Sequence, residues 1–394
     1  MIAELVVDLG AIRSNVERLR ALVAPARFAA VVKSNAYGHG LDPVARAIED
    51  LVDTFCVYAP GEALALRAAN VTKPILVMGP TEPHDLPEIL SANAAITLWE
   101  AAGFRREVAQ TARARDRKFP VHLKIETGVA RLGFDPGTAS GAIAALAADA
   151  DLDVRGVYTH LAAAEELESA FTLGQLKTFG DALAPVDGLL REHHIVRHAA
   201  ASAAAMLFPA LRLDLVRVGI ATYGVWPSPE TRNAAGHALA LAPALTWTTQ
   251  LVVVRDVAAG QSVGYGCTHR TTRASRIGVI PIGYAEGVPR ALSNAGVALV
   301  HGRRVSFVGR VCMNMSFVDV TDVPEAHVGS AVTLLGSDGG DRIDPNEQAT
   351  LAGTIGYELI ARLPASVPRR YVGLDALDAA PNSAMAAARS SVPS

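Results

Sequence analysis

The residues best placed to do chemistry stand where apolar runs break. Phe28 to Gly40 reads FAAVVKSNAYGHG, in which Val31 and Val32 lead to Lys33 and the run then dissolves into Ser34, Asn35, Ala36, Tyr37, Gly38, His39 and Gly40. Such a pattern reads as a buried strand presenting one amine at its C-terminal end. An amine held there loses hydration, which lowers its pKa and frees it for Schiff-base chemistry. A strand-ending lysine that simply reaches solvent is the commoner case, so the local pattern admits both. Other polar residues recur at the ends of later apolar runs: Lys124 and Glu126, His160, Ser202, then Arg217, Gly219 and Ile220. The small residues and backbone N–H groups of HAAASAA and VRVGIATYG suit a phosphate. Gly219 taken alone would be an ordinary turn glycine.

These ends must be brought together by the elements that carry them. Residues 3 to 8 read as a short strand and residues 9 to 22 as a helix with Ile12, Val16 and Leu19 on one face. From Phe28 onward eight strand-like runs follow, FAAVVK, DTFCVY, PILVMG, AAITLW, FPVHLKIE, VRGVYTH, IVRHA and LDLVRVG. Ala-rich or amphipathic segments separate them, among them residues 43–51, 61–69, 99–115 and 170–191. Eight such pairs match a (β/α)8 barrel, whose active site lies at the C-terminal strand ends and often binds phosphate after the seventh and eighth strands. An open doubly wound sheet is the alternative this count leaves standing. Past residue 227, PSPETRNAAGHALALAP reads as a linker. LTWTTQLVVVRDV, RIGVIPIGYA, VALVHGRRVSFVGRV, SFVDVT and AVTLLG then read as an antiparallel β domain.

The expected class is therefore α/β: an N-terminal (β/α)8 TIM-type barrel over residues 1–235, taking in the N-terminal strand and helix, with a C-terminal antiparallel β domain over residues 236–373. Residues 374–394, rich in small side chains, are expected to be poorly ordered. At 394 residues, two domains are the natural expectation. A formal charge of −3, 19% charged residues and no long basic run give no electrostatic argument for nucleic acid or an anionic membrane. The expected partner is a small molecule. The opening MIAELVVDLG carries Glu4 and Asp8 where a signal peptide would be basic and then apolar, which points to the cytoplasm. Cys56, Cys267 and Cys312 lack metal-type spacing, so neither a metal site nor a disulfide framework is expected.

VVKSNAYGHG resembles the pyridoxal 5'-phosphate (PLP) attachment motif of alanine racemases, and further motifs of that family recur in order to about residue 371. The resemblance implies PLP as cofactor, with Lys33 forming the internal aldimine. It implies Arg217 against the pyridine nitrogen and His160 bonded to that arginine. Tyr37 and Tyr357 fall at the positions of phosphate-contacting tyrosines, beside Ser202, Gly219 and Ile220. An arginine stays protonated and cannot serve as a proton source, so such a ring withdraws electrons weakly and side reactions such as transamination are suppressed.

Racemisation needs a proton removed from one face of Cα and returned on the other. By resemblance Lys33 serves one face and Tyr265, in AGQSVGYGCT, the other; a hairpin aromatic is the local alternative for a tyrosine between two glycines. The family likeness also implies a homodimer in which Tyr265 and Met313 reach the neighbouring subunit's pocket. Arg131 resembles the arginine that contacts the cofactor's phenolic oxygen and the substrate carboxylate. Lys124 matches a lysine that is carbamylated in many members, and Tyr284, Arg290 and Arg310 match an entry corridor. Asn314, Ala201, Glu165 and Val129 depart from the usual aspartate, asparagine, aspartate and methionine. None touches the Lys33 or Tyr265 motif, so the reaction class survives while strict alanine preference is less secure. The competing expectations are a broad-specificity amino-acid racemase, a non-catalytic PLP-binding barrel protein, and a barrel-type decarboxylase using Cys312. The long β domain speaks against the second, and the racemase-like GRVCMNMS against the third.

Overall fold

The structure, a computed structural model, describes residues 3–100, 104–167 and 169–373. Strand β1 (Ala3–Asp8) runs into the helix Leu9–Val23, whose first turn is capped by the Asp8 carboxylate accepting the N–H of Ala11 at 2.9 Å. Eight parallel strands follow: β2 (Arg27–Val31), β3 (Thr54–Val57), β4 (Ile75–Val77), β5 (Ala94–Leu98), β6 (Phe119–Lys124), β7 (Leu152–Tyr158), β8 (Val196–His198) and β9 (Leu215–Val218). Their order is β8-β7-β6-β5-β4-β3-β2-β9, so the chain winds a barrel and brings its last strand beside its first. Helices cover the outside, and strands such as β5 and β6 are buried on both faces, which is why they read as continuous apolar runs rather than alternating ones.

The seam between β8 and β9 is closed by side-chain and backbone hydrogen bonds together. Asp214 accepts the backbone N–H of Arg197 at 2.8 Å and its guanidinium Nε at 3.0 Å, while the N–H of Arg217 donates to the Ala200 carbonyl at 2.9 Å. The expected barrel is thus present, with all eight expected strands in place.

After the barrel come β10 (Leu245–Gln250), β11 (Val253–Val257), β12 (Ser262–Val263), β13 (His269–Arg270), β14 (Ser275–Ile280), β15 (Val297–Val300), β16 (Arg303–Ser306), β17 (Ser316–Asp319), β18 (Ala331–Asp338), β19 (Asp341–Ile343) and β20 (Arg369–Val372). They form a sheet of order β16-β15-β18-β10-β1-β20 with β19 on β18, a sheet β11-β14-β17 and the ribbon β12-β13. Two readings need correction. Strand β1 belongs to this second sheet and not with the barrel: it pairs antiparallel with β10 and parallel with β20, burying Leu5 and Val7. The expected linker contains a helix, Pro229–Ala235, because Ser228 accepts the N–H of Thr231 at 3.1 Å and proline occupies the first turn. Two short helices, Pro345–Leu351 and Gly356–Ala361, also interrupt the β-rich half. The tail 374–394 lies outside the described residues.

The two halves meet at the turn that follows Lys33. Arg369 of β20 donates Nε to the Gly38 carbonyl at 2.7 Å and its remaining N–H groups to the carbonyls of Leu363, Pro364 and Val367. A Cβ on Gly38 would lie 2.2 Å from the Ile360 carbonyl oxygen, and one on Gly40 would lie 2.0 Å from the Tyr371 hydroxyl. Both glycines also have positive φ, +83° and +104°, so glycine is required twice over.

Gly38→Ala is therefore expected to destabilise the protein by about 2–4 kcal/mol. Gly61→Ala, in the helix Pro60–Ala68 with open space around the added methyl, should be neutral or slightly stabilising. Urea unfolding of both variants checks the contrast, and equal midpoints would count against this packing.

Candidate active site

Lys33 stands two residues past the end of β2, and the chain after it does something L-amino acids avoid. Ser34, Asn35, Ala36 and Tyr37 have φ of 55°, 55°, 53° and 52°, a turn of left-handed helix costing about 1–2 kcal/mol per residue. Its neighbours supply the compensation. One Glu62 oxygen accepts the N–H groups of Ser34 and Asn35, and the other accepts those of Tyr58 at 2.9 Å and Ala59 at 3.1 Å. Asn35 Oδ1 accepts the N–H of Leu41 at 2.9 Å. The buried Tyr37 ring packs 5.1 Å from that of Tyr223, whose hydroxyl donates to the Val31 carbonyl at 3.0 Å. Burial and the nearby Arg131 charge lower the pKa of Lys33, with Glu62 opposing them, as amine chemistry requires.

Across the barrel, Arg217 on β9 is 3% exposed, and among the described residues it has no carboxylate partner. Its donors go to the Thr159 carbonyl at 2.8 Å, the Ala199 carbonyl at 3.2 Å and His198 Nδ1 at 2.9 Å. Its guanidinium also lies 4.9 Å from the centre of the Tyr158 ring, on which His198 stacks at 4.8 Å. His160, expected as the bonding histidine, is at 3.5 Å, a marginal contact. His198 is the closer partner, and neither it nor Glu62 was singled out from the sequence. The one available signal was a histidine inside each of two barrel strands, His122 on β6 and His198 on β8.

Lys33 and Arg217 open onto one cavity of about 910 Å³ at the C-terminal ends of the barrel strands. Tyr37, Ser202, Gly219, Ile220 and Tyr357 line it, with the Gly219 N–H donating to Ser202 Oγ at 3.0 Å. Lys124, Arg131 and His160 line it as well. Burial, then the charges of Arg131 and Arg217, push Lys124 down to about 8. Glu126 shapes the loop carrying Arg131 by accepting the N–H groups of Gly128, Val129 and Arg131 at 2.6, 2.6 and 3.1 Å. Of the departures, Ala201 and Glu165 also face this cavity.

Tyr265, Met313, Tyr284, Arg290 and Arg310 do not line this cavity. Tyr265 is 74% exposed, Met313 57% and Tyr284 43%. They lie on adjoining loops: a Cβ on Gly266 would touch the Arg310 guanidinium at 2.9 Å, and the N–H of Tyr284 donates to the Cys312 carbonyl at 3.1 Å. Asn314 uses its amide to donate to Glu286 at 2.7 Å, a contact that an aspartate would replace with like-charge repulsion.

The chain is similar to known proteins in sequence and in fold. Residues 7–227 match the family model described as alanine racemase, N-terminal domain, and residues 244–371 the one described as alanine racemase, C-terminal domain. An alanine racemase of Desulforamulus reducens is 40% identical over 373 residues, covering 93% of this chain and 98% of its own length. One from Symbiobacterium thermophilum is 39% identical over 368 residues, covering 93% and 96%. Among solved structures, the alanine racemase of the D-cycloserine-producing Streptomyces lavendulae superposes with a TM-score of 0.89 at 34% identity, covering 96% of this chain and 99% of that one.

The buried histidines generate a pH dependence. Burial lowers His39 to about 4, His122 to about 3 and His198 well below its ordinary value. The native state keeps them neutral while the unfolded chain protonates near pH 6.5. Stability is therefore full above that pH and lost as pH falls from about 6.5 toward 4, at roughly 1.4 kcal/mol per histidine per pH unit. Urea unfolding between pH 7.5 and 5 should show this fall, and a flat profile would contradict it.

Proposed function

The chain belongs to the alanine racemase family, and from that premise we propose that it interconverts L-alanine and D-alanine with pyridoxal 5'-phosphate as cofactor. The observation that carries the reading is one cavity holding a strand-end lysine with a lowered pKa, a buried arginine without a carboxylate partner, and a cradle of hydroxyls around Gly219.

The residues present fit the cofactor. Gly219 leaves room that any side chain would fill, since a Cβ there would lie 2.5 Å from the Tyr37 hydroxyl. Burial raises the pKa of both Tyr37 and Tyr357, so both phenols stay protonated as donors to a phosphate, beside Ser202 and the backbone of Gly219 and Ile220. Lys33, Lys124, Arg131 and Arg217 line the same cavity, and a phosphate together with a substrate carboxylate would relieve their mutual repulsion. When bound, PLP supplies an electron sink that acidifies the Cα–H of an attached amino acid.

The chain's own residues do the rest. Lys33 would hold the cofactor, and its amine would exchange a proton at one face of the substrate Cα. Arg217 would donate to the cofactor's ring nitrogen without protonating it. Arg131 takes the substrate carboxylate in its planar fork. Tyr265 exchanges the proton on the opposite face, the L enantiomer's. A phenol so exposed and outside its own cavity is best explained as serving a second copy, so the active unit is a homodimer with shared sites. Met313 reaches the same pocket, and Tyr284, Arg290 and Arg310 guard its entrance. The product would supply D-alanine for peptidoglycan, or the enzyme would serve alanine catabolism, in either case in the cytoplasm.

Lys33→Ala and Tyr265→Phe homodimers should each lose nearly all racemisation in a chiral alanine assay. Mixing and refolding the two together should restore activity at about a quarter of the wild-type sites, because each hybrid dimer contains one intact pairing. No recovery in hybrids of verified composition would refute sharing, and normal turnover by Tyr265→Phe would remove the second base.

Lys124, whose pKa burial and nearby arginines lower to about 8, is the proposed carbamylation site that orients Arg131. A carbamate resonance should appear with ¹³C-bicarbonate and vanish in Lys124→Arg. A wild-type spectrum without it would rule the modification out.

A further inference from the structure

Arg217 leads into a hydrogen-bonded line that runs deeper into the barrel. His198 Nε2 lies 2.9 Å from His122 Nδ1, and both rings are buried. Gly156 of β7, the strand between theirs, makes the contact possible: a Cβ there would stand 2.4 Å from His122 Nδ1. The protons along this line are assigned by chemistry. An arginine only donates, so His198 Nδ1 must accept, and the His198 proton sits on Nε2. That N–H needs an acceptor in a buried site, which His122 Nδ1 provides.

We propose that His122 is a positioning residue: by accepting from His198 it fixes the imidazole tautomer that turns a lone pair toward Arg217, and so holds the guanidinium in place. With the opposite tautomer, two donors would face each other across 2.9 Å, and Arg217 would keep only carbonyl acceptors, from Thr159 and Ala199. Among the described residues no acid pairs with Arg217 to pull it back. The proposal rests on the racemase reading for what Arg217 does, namely donate to the cofactor's ring nitrogen, and extends it to a residue that touches neither cofactor nor substrate. Both imidazoles stay neutral in this arrangement, in keeping with their burial beside Arg217.

The test compares the wild-type holoenzyme with His122→Asn, whose amide oxygen can replace the acceptor, and His122→Leu, which has none. Long-range ¹H–¹⁵N spectra of histidine-labelled protein read the His198 tautomer directly, and a chiral assay with pyruvate detection reads how often turnover ends in transamination. Expected are an Nε2–H tautomer in wild type and His122→Asn, a changed His198 signal in His122→Leu, and about tenfold more pyruvate per racemisation in the leucine variant, from one buried donor left unpaired. A merely structural role would lower activity without moving either ratio or tautomer. A wild-type His198 protonated at Nδ1, or a leucine variant with unchanged tautomer and unchanged partition, overturns the proposal. If the leucine variant does not fold, the wild-type spectrum decides: Nε2–H supports it and Nδ1–H ends it. Absence of racemisation by the wild-type holoenzyme would instead sink the functional reading, while the tautomer measurement would still report on the hydrogen-bonded line.

Discussion

One constraint governs the molecule: an amine must be aimed from the end of β2 by a turn that L-residues resist. Four consecutive residues of left-handed helix, Ser34 to Tyr37, are a standing strain of several kcal/mol by the usual estimate of about 1–2 per residue, and such strain persists only where surroundings over-determine it. Glu62 binds the turn from the next strand-to-helix connection, while Arg369, Ile360 and Tyr371 close on it from the far end of the chain. The second half of the protein is thus part of the lysine's mounting. This also accounts for β1, which ties the first residues to β10 and β20 and so fixes the segment carrying Arg369 against the barrel.

A second consequence concerns charge. The cavity brings Lys33, Lys124, Arg131 and Arg217 together, and burial followed by the repulsion of neighbouring arginines lowers the pKa of its lysines. Among the described residues no ion pair joins these cations to an acid: Glu62 and Glu126 accept backbone N–H groups. Geometry and electrostatics are thereby separated, the acids shaping loops and the cations left free for anionic ligands.

Much of this was legible in the sequence, for physical reasons that also explain the gaps. Strands buried on both faces leave continuous apolar runs, so FAAVV, FCV and VHLK stood out. Lys33 and Arg217 stood out because charge at such positions needs a cause. Strand β1 was misplaced because alternation such as Leu5 and Val7 says that one face is buried, not against what. Glu62 was invisible because a carboxylate binding backbone N–H groups 28 residues away leaves no local pattern. His122 and His198 are 76 residues apart, and only barrel curvature with a glycine between them makes them neighbours. Helix Pro229–Ala235 was hidden by its proline, which signals a break in an interior but is tolerated in a first turn.

The exposed Tyr265 bears on how the barrel and the β-rich half divide the work. On the proposed reading each barrel provides the lysine, the arginine and the phosphate cradle, enough to retain a cofactor but with proton exchange on only one face of Cα. Tyr265, the proposed second base, is carried on loops whose footing is the β sheets, packed through Arg310 and the Tyr284 turn. On the proposed reading, cofactor capture is a property of one chain and stereochemical inversion a property of two. Mass action then couples turnover to assembly, so dilution below the dimer's dissociation constant would leave protein that holds its cofactor yet cannot racemise. A barrel cut free of the β-rich half would lose more than the second base, because the same cut removes Arg369 from Gly38 and with it the clamp on the lysine turn.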